Sequence, residues 1–304
     1  MKKLSYVSFD YVEHIKDLAI FNIQSKRYLA FVLKTQLPLL KDISRNPNNF
    51  YRFKVKEIVK NEKLKIRRIE EPNSILKPIH KQIHNLISQL PAPDYLFSKK
   101  KSSCVLNAKV HSLAKGKTLN IDIENFFPST AKWKVQNFFG YYLQYNRDVA
   151  AFFADICTVD GHIPTGSPLS LMLAFWANQP MFNELNKLSK SRQITMTIYV
   201  DDISFTGEAV SEKFKNKVIE IVNKHHHTVN ADKVRFFGKD LKFINGIAIV
   251  NNQLEPSNEL SGKVRNLKKS KEIQYIKNLN GKIGYIKYIK KVDSLNRDIT
   301  TECK

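Results

Sequence analysis

Residues 194–205, Ile-Thr-Met-Thr-Ile-Tyr-Val-Asp-Asp-Ile-Ser-Phe, decide how the chain is read. Ile194, Met196 and Ile198 alternate with polar neighbours, and Ile203, Ser204 and Phe205 follow the break. This pattern predicts two antiparallel strands whose turn, Tyr199-Val200-Asp201-Asp202, lifts two carboxylates off the end of a sheet. Carboxylates about 4 Å apart repel by roughly 4 kcal/mol at an effective dielectric near 20, a cost that a bound divalent cation removes. Taken alone, an Asp-Asp pair reads first as a solvated acidic turn. A catalytic reading therefore needs a third carboxylate and a substrate surface elsewhere in the chain.

Charge supplies the surface. Fifty Lys and Arg against 28 Asp and Glu leave the 304 residues at +22, the footprint of a protein that holds a polyanion. Hydrophobic residues at 42% exclude a disordered chain. An anionic membrane surface is the rival partner, but the longest apolar run, Leu169 to Ala177, is too short to span a bilayer and reads as a core helix. Met1 to Asp10 meets an acid before any apolar signal core forms, which predicts no secretory leader. Cys104, Cys157 and Cys303 are odd in number and widely spaced, which fits neither a disulfide framework nor a zinc knuckle and predicts a reducing, cytoplasmic setting.

Along the chain, Val12, Ile15, Leu18 and Ala19 have helical spacing. Phe53 to Arg68 predicts a short basic ribbon turned at Asn61 and Glu62. Pro72 and Pro78 bracket a turn before an amphipathic helix through Ile79, Ile83, Leu86, Ile87 and Leu90. Thr118 to Glu124 predicts a half-buried strand, with Leu119, Ile121 and Ile123 inward and Asn120, Asp122 and Glu124 on an acidic outer face. Ser129 or Thr130 is the expected cap of a helix through Trp133, Phe138 and Phe139. Further helices are predicted after Pro168 and through Phe214, Val218, Ile221 and Val222, the latter ending at His225 to His227. The irregular mixture, with no Gly-rich phosphate loop after a strand, predicts an α+β fold.

Asp122 is the third carboxylate, on the polar side of its strand near the end. If that strand pairs beside the Tyr199 hairpin, three acids converge, and two divalent cations there can activate an attacking hydroxyl and stabilise leaving pyrophosphate. Hard oxygen ligands without a His and Cys cage favour Mg²⁺, with Mn²⁺ as a substitute. Glu124 reads as a surface acid.

Asp122 within LNIDIENFFPS, the YVDD at 199–202 and Pro164-Thr165-Gly166-Ser167-Pro168 between them stand in the order and spacing of reverse transcriptase palm motifs. The chain resembles bacterial reverse transcriptases, and more narrowly those of retrons, because Asn107, Ala108 and His111 match their NAxxH signature. The resemblance covers roughly Phe53 to Val250. It implies a right-hand polymerase in which fingers and palm are interleaved over 1–255 and a basic, RNA-binding thumb occupies 256–304. It implies RNA-templated DNA synthesis with Asp122, Asp201 and Asp202 as metal ligands. Tyr199, Asn107 and His111 would lie at primer or template, and Phe127 under the incoming sugar, where its ring would exclude a 2′-OH. Lys65 and Arg67, or Arg68 if the register shifts by one, would hold the triphosphate with Thr165 and Gly166. Lys233, in VNADKV, would protonate pyrophosphate. Thr165 replaces the family's usual Gln, Val200 its usual Ala, and Asn125 stands where Asp is frequent. Ile244-Asn245-Gly246 keeps only the glycine of the family's VTG element and equally describes a type I′ hairpin turn.

The tail interleaves Lys263, Arg265, Lys268, Lys269, Lys287 and their neighbours with Tyr275, Tyr285 and Tyr288, which suits backbone tracking and base stacking. The other reading is a helix with core tyrosines and solvated lysines. The function implied is a retron enzyme that uses dNTPs to copy a cognate noncoding RNA from an RNA 2′-OH. Its product would be single-stranded DNA still joined to that RNA, made beside an effector protein of an anti-phage system. Alternatives are an abortive-infection or diversity-generating reverse transcriptase, or a non-catalytic RNA-binding protein on a polymerase scaffold. Three retained like charges speak against the last.

Overall fold

The computed structural model describes residues 15–60, 63–98, 103–269 and 276–294. It is an α+β fold in which helices combine with antiparallel sheets, as expected. Two compact units form, each from three stretches of chain: up to Pro91 with Glu124–Glu184 and Val222–His227, and Ala92–Ile123 with Leu185–Ile221 and Thr228 onward.

In the first unit, β1 (Tyr51–Lys60) and β2 (Lys63–Pro72) pair antiparallel from Tyr51↔Pro72 to Lys60↔Lys63. The expected turn residues Asn61 and Glu62 lie outside the described residues. Alternation gives the ribbon one face with Arg52, Lys54, Lys56 and Arg67, and another with Phe53, Val55, Ile66 and Arg68. The helix Leu76–Ile87 starts two residues before Pro78, because the Asn73 side chain accepts from the N–H groups of Ile75 and Leu76. Pro78 then sits in the first turn, where a missing N–H costs nothing. Phe138, Phe139, Phe153, Trp176 and Phe182 are buried, with Phe139 and Phe153 stacked at 4.2 Å. Ser170–Ala177 is buried almost all round, which explains its apolar run. No described helix is long and apolar enough to cross a membrane.

Two local expectations change. Val12 lies outside the described residues, and from Ile15 to Gln24 the chain makes turns; helices begin at Lys26–Val32, capped by Ser25, and at Leu37–Arg45. Neither Ser129 nor Thr130 caps the helix Lys132–Asn137. The Thr130 hydroxyl donates back to the Phe126 carbonyl and Ser129 pairs with His227 Nδ1, so both side chains are already engaged.

In the second unit, β3 (Lys117–Asp122), β4 (Thr195–Tyr199), β5 (Asp202–Gly207) and β6 (Arg235–Phe237) form one antiparallel sheet in the order β4-β5-β3-β6. The start of β3 requires glycine: Gly116 has φ +102°, and a Cβ there would lie 2.3 Å from the Gly207 backbone. One face of the sheet carries Leu119, Ile121, Met196, Ile198, Ile203 and Phe205, all buried, with Phe214 edge-on to Phe205. The other face is polar but not solvated, which corrects the expected half-buried strand. Helix Ser103–Leu113 covers it, and buried His111 bonds Thr206 at 2.7 Å and Thr197 at 2.8 Å, while Thr118 adds a hydroxyl contact to Thr206. Asn120 donates to the Phe243 carbonyl.

A second sheet, β7 (Leu241–Ile244), β8 (Ile247–Val250) and β9 (Gln253–Pro256), turns first at Asn245-Gly246, where both φ values are positive as in a type I′ turn. Ile244, Ile247, Ile249 and Leu254 pack with Val105 and Ala108, and with Ile289 and Val292 of helix Ile276–Ser294. Asp293 fixes that helix by accepting from Lys109 Nζ and from the Leu254 N–H. Buried Lys242 donates to the carbonyls of His111 and Ala114, closing the C-terminus of helix Ser103–Leu113.

Burial holds His111 neutral, pushing its pKa down to about 3, with the Lys242 charge a smaller cause. His111→Ala should destabilise the fold by about 2–4 kcal/mol, through a cavity and the loss of the bonds to Thr197 and Thr206, of which Thr206 keeps its contact with Thr118, measured by urea unfolding. Because the unfolded chain takes up this proton near pH 6.5 and the folded one does not, wild-type stability should fall as pH drops from 6.5. The slope for this group is about 1.4 kcal/mol per pH unit, and the variant should lack that share of it.

Candidate active site

Sheet register brings the acids together. Asp122, the last residue of β3, lies directly opposite Asp202, the first of β5, and Asp201 occupies the connecting turn. Backbone bonds lock this end: Ile123 N–H donates to the Asp201 carbonyl at 3.1 Å, and Asn230 N–H to the Asp122 carbonyl at 2.8 Å. One carboxylate oxygen from each acid lies within 4.8 Å of the others. Asp122 is 4% exposed, whereas Asp201 is half-buried and Asp202 opens to solvent. Like charges placed directly across an antiparallel pair are destabilising. Accordingly Asp202 is pushed up to about 6, first by loss of solvation around its carboxyl and then by Asp201 and Asp122. Three crowded hard-oxygen donors without a histidine or cysteine fit Mg²⁺ or Mn²⁺ chemically.

Lys233 stands at the same end, with Nζ 2.5 Å from Asp122 Oδ2, on a short turn Ala231–Lys233 that Asn230 begins. It neutralises part of the cluster. The hairpin also holds strain: Val200 has φ +63°, a left-handed conformation that disfavours β-branched residues and costs about 1–3 kcal/mol. Tyr199, paired across from Asp202, flanks this turn.

Comparison with known proteins finds retron reverse transcriptases among those similar to this chain. The chain is 25% identical over 240 residues to the Retron Ec86 reverse transcriptase of Escherichia coli, covering 76% of this chain and 73% of that protein. It is 29% identical over 196 residues to the Retron Se72 reverse transcriptase of Salmonella heidelberg, covering 61% of this chain and 50% of that one. The chain is similar to retron reverse transcriptases. The resemblance read from the sequence is thereby borne out. No family model matches. Among solved structures, apo telomerase from Candida tropicalis aligns with a TM-score of 0.49 at 10% identity, over 69% of this chain and 55% of that one.

Several residues expected from the reverse transcriptase motifs sit elsewhere than at an open site. Asn107 and His111 are 1% and 0% exposed, so neither reaches a primer or template directly. His111 instead pins its helix to the sheet, and Asn107 Nδ2 donates to Asn245 Oδ1 at 2.5 Å, joining the NAxxH motif to the Asn245-Gly246 turn. Thr165 is also engaged structurally. Its hydroxyl donates to the Arg68 carbonyl at 2.8 Å and accepts from Glu70 N–H at 3.2 Å, so it seats the ribbon rather than a nucleotide. Gly166 N–H donates to the Glu70 carbonyl, and a Cβ at Gly166 would lie 2.8 Å from that oxygen. Arg68 is committed to Asp160 at 2.7 Å and lies over the Phe53 ring at 4.5 Å, whereas Arg67 is exposed on the opposite face. Phe127 is half-buried beside Phe126.

The sequence reading missed Glu70. Its carboxylate, 2% exposed, accepts from Thr165 N–H, pairs with His162 at 3.1 Å and lies 3.5 Å from the Arg68 guanidinium, tying β2 to the segment 162–166. Only its position four residues after Ile66 on an alternating strand distinguishes it, and that signal is indistinct from any solvated glutamate. In the tail, Lys263, Arg265 and Lys287 are exposed, and Tyr285 is 36% exposed. Tyr288 packs on the core, as the alternative reading of the tail required. The side chains of Lys65, Lys268 and Lys269, and Tyr275 altogether, lie outside the described residues.

In metal-free protein the raised Asp202 group keeps its proton in the folded state to higher pH than in the unfolded chain. Its contribution is therefore full below about pH 4 and lost as pH rises through about 6. Asp202→Asn should raise the thermal midpoint of metal-free protein at pH 7–8 and flatten that pH dependence. Mg²⁺ should raise the midpoint of wild type more than that of the variant; equal responses in a calorimetric scan would contradict a cation site here.

Proposed function

We propose that this chain is an RNA-directed DNA polymerase of the retron kind. The observation that carries the reading is the carboxylate cluster of Asp122, Asp201 and Asp202 at one end of the palm-like sheet, with Lys233 against it. Similarity to two retron reverse transcriptases supports this reading of template and product. Asp122, Asp201 and Asp202 would hold two divalent ions, Mg²⁺ or Mn²⁺, whose chemistry is to activate the primer hydroxyl and stabilise departing pyrophosphate. Lys233, half-exposed with Nζ against Asp122, would pass a proton to the leaving group. Arg67 on the basic ribbon face meets the dNTP triphosphate, and Phe127 excludes a 2′-OH by bulk. Tyr199 lies at the primer terminus.

On this reading the ribbon is the fingers, the four-stranded sheet the palm, and residues 256–304 a thumb whose exposed Lys263, Arg265 and Lys287 grip the cognate noncoding RNA. That RNA primes from a 2′-OH and remains joined to the DNA product in the cytoplasm, in a defence system with a separate effector protein.

Purified protein with a retron RNA, dNTPs and Mg²⁺ should extend DNA. Asp201→Asn combined with Asp202→Asn should reduce extension to background while RNA binding stays within about twofold, since neither acid is among the basic residues assigned to the RNA grip. Loss of binding in that double variant would contradict the assigned roles. Phe127→Ala should raise rNTP incorporation relative to dNTP by roughly tenfold or more, read from competing-substrate extension, because removing the ring removes a steric clash.

A further inference from the structure

A shallow cavity of about 100 Å³ opens in the first unit, lined by Trp133, Lys134, Asn178, Lys224, His225 and His226. Its floor is a buried ammonium. Lys134 is 4% exposed and donates to Asn178 Oδ1 at 2.9 Å, to the His225 carbonyl at 2.6 Å and to His227 Nε2 at 2.7 Å. All three acceptors are neutral, and among the described residues no carboxylate pairs with it. A buried cation lacking a counter-ion is costly, and here burial alone lowers the Lys134 pKa to about 7. An anion in the cavity would supply the missing charge.

The rim has the matching chemistry. Trp133 is 45% exposed, its ring 5.6 Å from Lys134 Nζ and met edge-on by His226 at 5.7 Å. His226 reaches that place through a left-handed backbone, φ +59°, just past the helix Glu212–Lys224. Lys224 adds a cationic donor and His225 a ring that burial holds toward its neutral form, both restrained by Glu184 at 2.8 and 2.9 Å, the acid that faces this rim. The volume admits a phosphate-sized group but not a whole nucleotide. An aromatic ring attached to that phosphate would lie outside, against the indole.

We propose that this cavity is a second nucleic-acid site, which takes one phosphate of a single strand while the attached base stacks on Trp133. The inference rests on the nucleic-acid reading above but uses none of its catalytic residues. A single-stranded segment of the cognate RNA has the required chemistry, because stacking on an aromatic beside basic groups tolerates any base.

Trp133 reports directly, since the chain has two tryptophans and Trp176 is 1% exposed. Titration of the full chain with oligouridylate should quench tryptophan emission saturably, and inorganic phosphate should compete. Uridine without phosphate should quench far less. Lys224→Ala with His226→Ala should weaken the quenching midpoint by roughly tenfold, and Glu184→Gln, which frees Lys224 and His225, should tighten it. Lys134→Met should abolish competition by phosphate; if that variant does not fold, the two rim variants still decide. Quenching that is unsaturable, or unmoved by the rim and Glu184 changes, would overturn the site. Quenching by uridine monophosphate but not by oligouridylate would overturn the strand assignment. Primer extension run in parallel separates the two readings: extension without a Trp133 response removes this site and leaves the polymerase, and a response without extension does the reverse.

Discussion

The register between β3 and β5 is the constraint on which the rest depends. It sets Asp122 opposite Asp202, an arrangement that electrostatics alone would avoid. What enforces it is the other face of the same strands. Leu119, Ile121, Ile203 and Phe205 are each at most 1% exposed, and a slip of one residue would turn all of them outward and bring the polar set in. At about 1.5–3 kcal/mol for each large apolar side chain kept from water, that burial outweighs a repulsion of a few kcal/mol between partly solvated carboxylates. The acids are thus crowded by hydrophobic packing on the opposite side of the sheet, and Lys233 offsets part of the cost.

The polar face of the sheet has two ends with different fates. At one, His111 and three threonines close it under the helix Ser103–Leu113; at the other, Asp201 and Asp202 remain open. This difference explains how a motif can be diagnostic of a family without touching substrate. His111 does not need to meet nucleic acid to matter, because it fixes the strands that carry the acids at their far ends. Asn107 does the same for the second sheet through Asn245, and so the sheet and the docked helix Ile276–Ser294 share one support.

Much of this was legible in the sequence where the determinants are local. The hairpin, the basic ribbon, the buried run Ser170–Ala177 and the Asn245-Gly246 turn each follow from alternation, apolar length or turn chemistry within a few residues. The convergence of Asp122 with the hairpin was a conditional expectation, and strand pairing met the condition. What was illegible depends on distant partners. Alternation marked Asn120 and Asp122 as outward but could not say that a helix covers that side. Thr165 read only as a replacement of the usual Gln, yet its hydroxyl bonds both the Arg68 carbonyl and the Glu70 N–H on β2. Glu70 and Lys134 carried no sequence signal, since burial of a charged side chain is a property of the folded neighbourhood alone.

Two buried lysines show why one of them points to a ligand and the other does not. Lys242 sits at the C-terminus of helix Ser103–Leu113, where its ammonium meets the carbonyls of His111 and Ala114 and the negative end of the helix dipole, and Glu208 also acts to hold its proton. Its charge is answered within the fold. Lys134 meets neutral acceptors, gains no carboxylate, and lies beneath an opening ringed by an exposed indole and further basic groups. The same desolvation acts on both side chains, but at Lys134 no charge among the described residues offsets it. In the site proposed above, a phosphate drawn by the net charge of +22 would supply that compensation.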